Sequence, residues 1–237
     1  MTFLSRHSML NATAAFLFFV AATVFSSQSV AQTTLWDQAP DPDGDQIINQ
    51  NIPGAFSDFS TFLVSDVTFS QNVIIDSVTS YYSNSTGTWT STVTSGILNI
   101  FDGDALNTLD DPLVGGDFGP GATNVSVTVV EPGVLAVTAS GLNISLQAGD
   151  YFFGLAASEP DPDNQEFQLE ALTSFGQESF LRNPAGGFGP PISEWVQASV
   201  FGFPGYEGAI TITAVPEPSS CMVFAVGSVC LLVRRKR

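Results

Sequence analysis

Val125-Ser126-Val127-Thr128-Val129 decides the fold class, because valines and hydroxyl side chains alternate strictly along it. Side chains leave a β-strand on opposite faces in turn, so this run presents one dry face and one wet face. Leu142-Asn143-Ile144-Ser145-Leu146, Phe167-Gln168-Leu169-Glu170-Ala171 and Ile210-Thr211-Ile212-Thr213-Ala214 follow the same rule. Phe62 to Phe69, Val73 to Tyr82, Ile97 to Phe101, Leu135 to Ala139, Tyr151 to Ala156 and Trp195 to Phe201 read as further strands. Several are apolar on both faces, which suits the middle of a two-layer stack. Turn formers separate them: Asp102-Gly103-Asp104, Glu131-Pro132-Gly133, Gly141, Ala148-Gly149-Asp150 and Asn183-Pro184. About ten strands at this spacing predict an all-β fold, a single β-sandwich of jelly-roll type. No segment between the ends sustains a 3.6-residue period, so helix is expected to be minor.

The two ends read differently. Arg6 and His7 precede an apolar run from Met9 to Phe25, and Ser29-Val30-Ala31 sets small side chains where a signal peptidase reads them. Residues 1–31 are therefore expected to be a cleavable secretory signal helix, cut between Ala31 and Gln32. At the other end, prolines flank Glu217 in Val215-Pro216-Glu217-Pro218, a sequence that continues neither strand nor helix. Met222 to Val233 is apolar apart from Ser228, which predicts a membrane helix at the short end of the range. Arg234, Arg235, Lys236 and Arg237 prefer the cytoplasmic side, so the body between the two ends should face outward.

Val215, Pro216, Glu217 and Pro218, an apolar helix and a terminal arginine cluster, in that order, resemble the PEP-CTERM sorting tail of exopolysaccharide-producing, mostly Gram-negative bacteria. The resemblance implies an exosortase partner, a membrane-embedded cysteine protease-transpeptidase that recognises the four-residue motif and processes the protein at or near it. It also implies that Met222 to Val233 anchor the chain transiently in the inner membrane, that the basic cap is the stop, and that the product reaches the cell surface or extracellular matrix. The expected division is signal 1–31, ectodomain 32–214 and sorting tail 215–237. The phrase from Gly141 to Phe152 resembles a hairpin that recurs in ectodomains carrying this tail, which supports the sandwich but no activity.

Charge narrows the function further. Of 6 Lys and Arg residues only Arg182 lies in the ectodomain, and of 23 Asp and Glu residues only Glu217 lies outside it. The ectodomain thus sets 22 acids against one base, a net −21. A field of that sign repels phosphate backbones, so nucleic acid is excluded as a partner. It attracts divalent cations, and it also keeps an exported protein soluble. Both cysteines, Cys221 and Cys230, fall in the tail, so no disulfide staples the ectodomain.

His7 is the one histidine and leaves with the signal, so the mature ectodomain has no His, Cys or Lys. Ser-His or Cys-His nucleophilic catalysis and His/Cys zinc or copper sites are excluded on that count. Carboxylates alone could still hydrolyse a glycoside, and Glu170 and Glu194, the latter beside Trp195, are the candidates for a third reading as a glycosidase.

Two binding readings stand beside these. Asp41-Pro42-Asp43-Gly44-Asp45 spaces three carboxylates at alternate positions with a glycine for the turn, the pattern of a calcium loop. The bidentate acid such a loop places eleven residues after Asp41 is absent, since Ile52 stands there. Glu159-Pro160-Asp161-Pro162-Asp163-Asn164 is a second acidic cluster of the same flavour. Calcium is the one cofactor the sequence offers. Trp36, Trp89, Trp195, Tyr81, Tyr82, Tyr151 and Tyr206 supply rings that could stack on sugars, with Trp89 and Tyr82 the candidates for an exposed platform. Two long loops, Asp110 to Gly121 and Asn183 to Pro191 with Phe188 at its middle, are the expected functional surfaces. The leading expectation is a non-catalytic, exopolysaccharide-associated surface or matrix protein. The alternative is a calcium-dependent carbohydrate-binding module.

Overall fold

The computed structural model describes residues 32–84, 93, 95–103, 114–118 (backbone), 125–161 and 163–215. Among them, fourteen strands follow one another along the chain. They are β1 (Thr33–Asp37), β2 (Gln46–Ile48), β3 (Gln50–Asn51), β4 (Phe62–Phe69), β5 (Val73–Asn84), β6 (Ser95–Asp102) and β7 (Val114–Phe118). The second half adds β8 (Val125–Glu131), β9 (Val134–Leu146), β10 (Gly149–Ser158), β11 (Glu166–Leu169), β12 (Phe180–Asn183), β13 (Ile192–Gln197) and β14 (Ile210–Ala214). Two short 3-10 segments, Gly54–Phe59 and Ala198–Phe201, are the remaining regular elements among the described residues.

The strands form two seven-stranded sheets. In the first, β5 is flanked on one side by β14 and β11, which lead to β1 and β2, and on the other by β9 and then β8. The second runs β13-β12-β4-β10-β6-β7, with β3 paired parallel to the end of β10. The predicted all-β class and two-layer arrangement hold. The helices expected at residues 1–31 and 222–233 lie outside the described residues.

Alternation explains which faces meet. In β10, Tyr151, Phe153, Leu155 and Ala157 enter the main core, while Phe152 packs on the opposite face with Val64, Phe101 and Phe180. Facing the inward set across the layer are Ile75, Val78 and Tyr82 of β5, Leu135, Val137 and Ala139 of β9, and Ile210 and Ile212 of β14. The pleat of β5 breaks once. Thr213 and Ala214 of β14 are consecutive but pair with Ser77 and Ile75, so Asp76 between them is the extra residue of a bulge. Val73 and Ile75 point inward before it, and Val78, Ser80, Tyr82 and Asn84 after it.

Three expectations change. Leu135–Ala139 and Leu142–Leu146 were read as separate strands but belong to one, β9, because Gly141 (φ 67°) and Asn143 (φ 51°) absorb the irregularity without ending the ladder. The expected strand Trp195 to Phe201 stops at Gln197, and Ala198 turns the chain into a 3-10 segment capped by Gly202 in the left-handed region. The expected loop from Asp110 to Gly121 contains β7, an edge strand on β6. Its run of Gly, Pro and Asp masked five extended residues.

One polar seam crosses the core. The Tyr82 hydroxyl donates to the Leu155 carbonyl of the other sheet and accepts from Asn49 Nδ2 at 3.2 Å. Asn49 Nδ2 also reaches Gln168 Oε1 at 2.5 Å, and its Oδ1 accepts from Leu63 N at 3.1 Å. The side chains of Tyr82, Asn49 and Gln168 are buried, so each bond replaces one that water would otherwise make. Tyr82→Phe should lower unfolding free energy by about 1–2 kcal/mol, by taking a donor from the Leu155 carbonyl and an acceptor from Asn49 Nδ2. Tyr82→Ala should cost about 3–5 kcal/mol through the added cavity. Chemical denaturation checks both, with Tyr81→Phe as the half-exposed control.

Candidate functional site

The acidic loop is a clip. Asp41 N donates to the Glu170 carbonyl at 2.8 Å and Glu170 N to the Asp45 carbonyl at 3.0 Å. Asp45 N donates to Glu170 Oε2 at 2.9 Å, and Asp43 N to Asp41 Oδ1 at 3.0 Å. The Asp41 carboxylate thus closes its own turn, and Glu170 fastens that turn to the end of β11. Asp41, Asp43 and Asp45 share one turn but do not converge: among the described residues, no three His, Cys, Asp or Glu side chains group so as to hold a metal ion. The second acidic cluster folds the same way, with Asp161 N on Glu159 Oε1 at 2.9 Å and Asp163 N on Asp161 Oδ1 at 3.0 Å. Glu170 and Glu194 belong to different sheets, Glu170 just past β11 and Glu194 exposed on β13.

Tyr82 is no platform. Its ring is fully buried between the sheets, on the inward parity that the Asp76 bulge sets, so no sugar can stack on it. Trp89 lies outside the described residues. Trp36 is half-buried edge-on to Phe175 at 5.9 Å, and Trp195 half-buried edge-on to Phe101 at 5.4 Å. Tyr151 and Tyr206 are buried, the latter donating to the Gln168 carbonyl at 2.7 Å. Tyr81 remains half-exposed on the outer face of the first sheet, its hydroxyl 3.0 Å from that of Thr211.

The aromatic surface that does form is made of phenylalanines. A groove of about 180 Å³ is lined by Phe167 of β11, Phe188 of the long loop, and Phe201 and Phe203 at the end of the second 3-10 segment. Ile47, Leu181, Gln46, Thr61 and Asn183 complete most of its wall, and none of its lining residues is ionisable. All four rings are half-buried, keeping part of their surface toward solvent. The loop that carries Phe188 is tightly held. Gly187 N donates to the Asp58 carbonyl at 3.0 Å, and Asn183 Nδ2 to the Pro190 carbonyl at 3.3 Å. A Cβ on Gly187 would stand 2.4 Å from that Asp58 oxygen, so the close approach needs glycine there. Phe188 then meets Phe59 edge-on at 5.6 Å. Phe188 was visible in the sequence as the centre of a loop. Phe167, Phe201 and Phe203 were not, because they lie on two further segments that only the fold brings beside it.

Sequence reasoning also missed two buried carboxylates. Glu207 accepts from Gln38 Nε2 at 2.7 Å, Phe175 N at 2.8 Å, Gly176 N at 3.1 Å and the Ser174 hydroxyl, which ties the 174–176 loop to the sheet. Glu166 accepts from Asn84 Nδ2 at 2.8 Å through one oxygen, while its other oxygen is buried without a partner. Burial raises the Glu166 pKa to about 7, against the Asn84 hydrogen bond and with help from the Glu159 charge. The folded protein therefore holds a proton that the unfolded chain releases near 4.5. The Glu166 contribution to stability is full below that value and declines as pH rises to about 7, by about 3 kcal/mol in all. Glu166→Gln should abolish this decline. Unfolding free energies of the two proteins across this window should diverge with rising pH, the variant gaining, and parallel curves would refute the assignment.

No curated protein matches this chain. Its tail does match a family model: a PEP-CTERM protein-sorting motif is found at residues 214–237, beginning on the last residue of β14.

Proposed function

We propose that this is a non-catalytic surface or matrix protein, exported by its N-terminal signal, sorted through its tail and associated with extracellular polysaccharide. One observation carries the reading. The PEP-CTERM motif, which implies export and recognition by an exosortase-type enzyme, starts where the folded sheet stops. Val215 N still donates to the Ile74 carbonyl at 2.9 Å, and Pro216 and Pro218 cannot donate a further ladder bond. Processing at the motif would release the ectodomain with every strand intact. The signal cut between Ala31 and Gln32, just before β1, would do the same at the other end. Met222 to Val233 serve as the transient inner-membrane anchor in this account, in a Gram-negative type of cell envelope.

The uncharged groove supports the polysaccharide part. Half-exposed rings beside amide and hydroxyl groups suit a neutral sugar, whereas an ectodomain of net −21 repels acidic polymers at low salt.

Replacing Pro216, Glu217 and Pro218 together by alanine should leave the protein unprocessed in the inner-membrane fraction of the producing cells. Unchanged intact mass and surface delivery would refute the sorting claim. Phe188→Ala with Phe203→Ala should reduce co-sedimentation with the cells' own polysaccharide about tenfold, for the loss of about 1.4 kcal/mol of ring contact. Retention equal to wild type would remove the groove from the account.

A further inference from the structure

A sheet edge presents unpaired backbone N–H and C=O groups, and folded proteins guard such edges with charge, proline, kinks or shortness. Six strands of this protein pair with a single other strand among the described residues. Five are guarded. β2 has three residues and β3 two. β1 carries Asp37 and a register shift between Thr34 and Trp36. β7 is short and includes Asp117. β13 carries Glu194, follows Pro190 and Pro191, and pairs irregularly with β12.

β8 carries such devices only at its far end, where its pairing with β9 shifts between Val129 and Glu131, and from Val125 to Val129 it has none. Val125-Ser126-Val127-Thr128-Val129-Val130 is uncharged, proline-free and dominated by β-branched residues, and Glu131 comes only at its end. The strand is accessible: Val129 is 52% and Val130 56% exposed. Val125 and Val127 face the core yet stay only half-buried, and among the described residues no strand lies beyond them. An edge that leaves its inward side chains partly wet has apolar surface still to bury.

We propose that β8 docks against β8 of a second copy of this chain, antiparallel about a two-fold axis, so that the first sheet runs continuously through the pair. The strand suits itself as a partner. A register centred on Val127 places Val125 opposite Val129 and Ser126 opposite Thr128, with valines on the core side of both copies and hydroxyls on the other. Charge selects the place. Two ectodomains of net −21 repel over most of their surfaces, and β8 is the edge where they can approach with no acid inside the contact until Glu131.

The full-length chain, purified in detergent with Cys221→Ser and Cys230→Ser, tests this by sedimentation equilibrium. Wild type should dimerise, and more tightly as salt rises and screens the like charges. Thr128→Glu sets an acid into the pairing edge and should weaken dimerisation on the order of tenfold or more. Ser193→Glu, on the guarded edge β13, should not. In the same background, Ser126→Cys mixed with Thr128→Cys should form an intermolecular disulfide on mild oxidation, and Ser193→Cys should not. Circular dichroism shows that each variant keeps its sheet. A wild type that is monomeric at all concentrations, a dimer that Thr128→Glu leaves unchanged, or equal cross-linking at Ser193 would overturn the proposal.

Discussion

Everything in this ectodomain depends on two β-layers burying apolar faces against each other, because the usual reinforcements are missing. There is no cysteine to staple it and one base among 22 acids. The sandwich is therefore held by Ile75, Val78, Leu135 and Val137 on one side meeting Leu98, Ile100, Phe153 and Leu155 on the other. Burial of that kind is worth roughly 25 cal/mol per Å² of apolar surface and depends little on ionic strength. It also leaves buried carboxylates to be satisfied by hydrogen bonds rather than ion pairs. In a protein that cannot neutralise its carboxylates with cations, Glu207 is instead wrapped by two backbone N–H groups, an amide and a hydroxyl.

Strand positions were legible because alternation survives in the primary sequence. Phe62–Phe69 and Ile210–Ala214 begin and end where their periodicity says. Orientation was harder. In Thr79-Ser80-Tyr81-Tyr82-Ser83 either parity offers one tyrosine and hydroxyl neighbours, so nothing local tells Tyr81 from Tyr82. The bulge at Asp76 and the neighbouring strands choose Tyr82 for the interior. Short strands such as β2 and β3 escaped notice because two or three residues carry no period to detect.

The candidate sites show a different limit. Asp41, Asp43 and Asp45 matched a cation loop by spacing, but spacing does not say what a carboxylate faces. The fold turns Asp41 back on its own chain, and Glu170, chosen in the sequence for catalysis, becomes the staple of that turn. The phenylalanine groove reverses the case: none of its rings belongs to a motif, and it exists because β11, the 183–191 loop and the turn after β13 end at one place.

The tail and the fold meet at a consequential point. β14 is an interior strand, paired with β1 on one side and β5 on the other, so the last residues before the motif are among the best-held in the first sheet. A tail attached to a frayed edge strand would let any pull from the membrane peel the sheet open one bond at a time. Attached to β14, the same pull must break two ladders at once. An enzyme that acted at the motif would then leave the domain behind it folded, and Pro216 and Pro218, which lack an N–H, could not be drawn back into the ladder as donors.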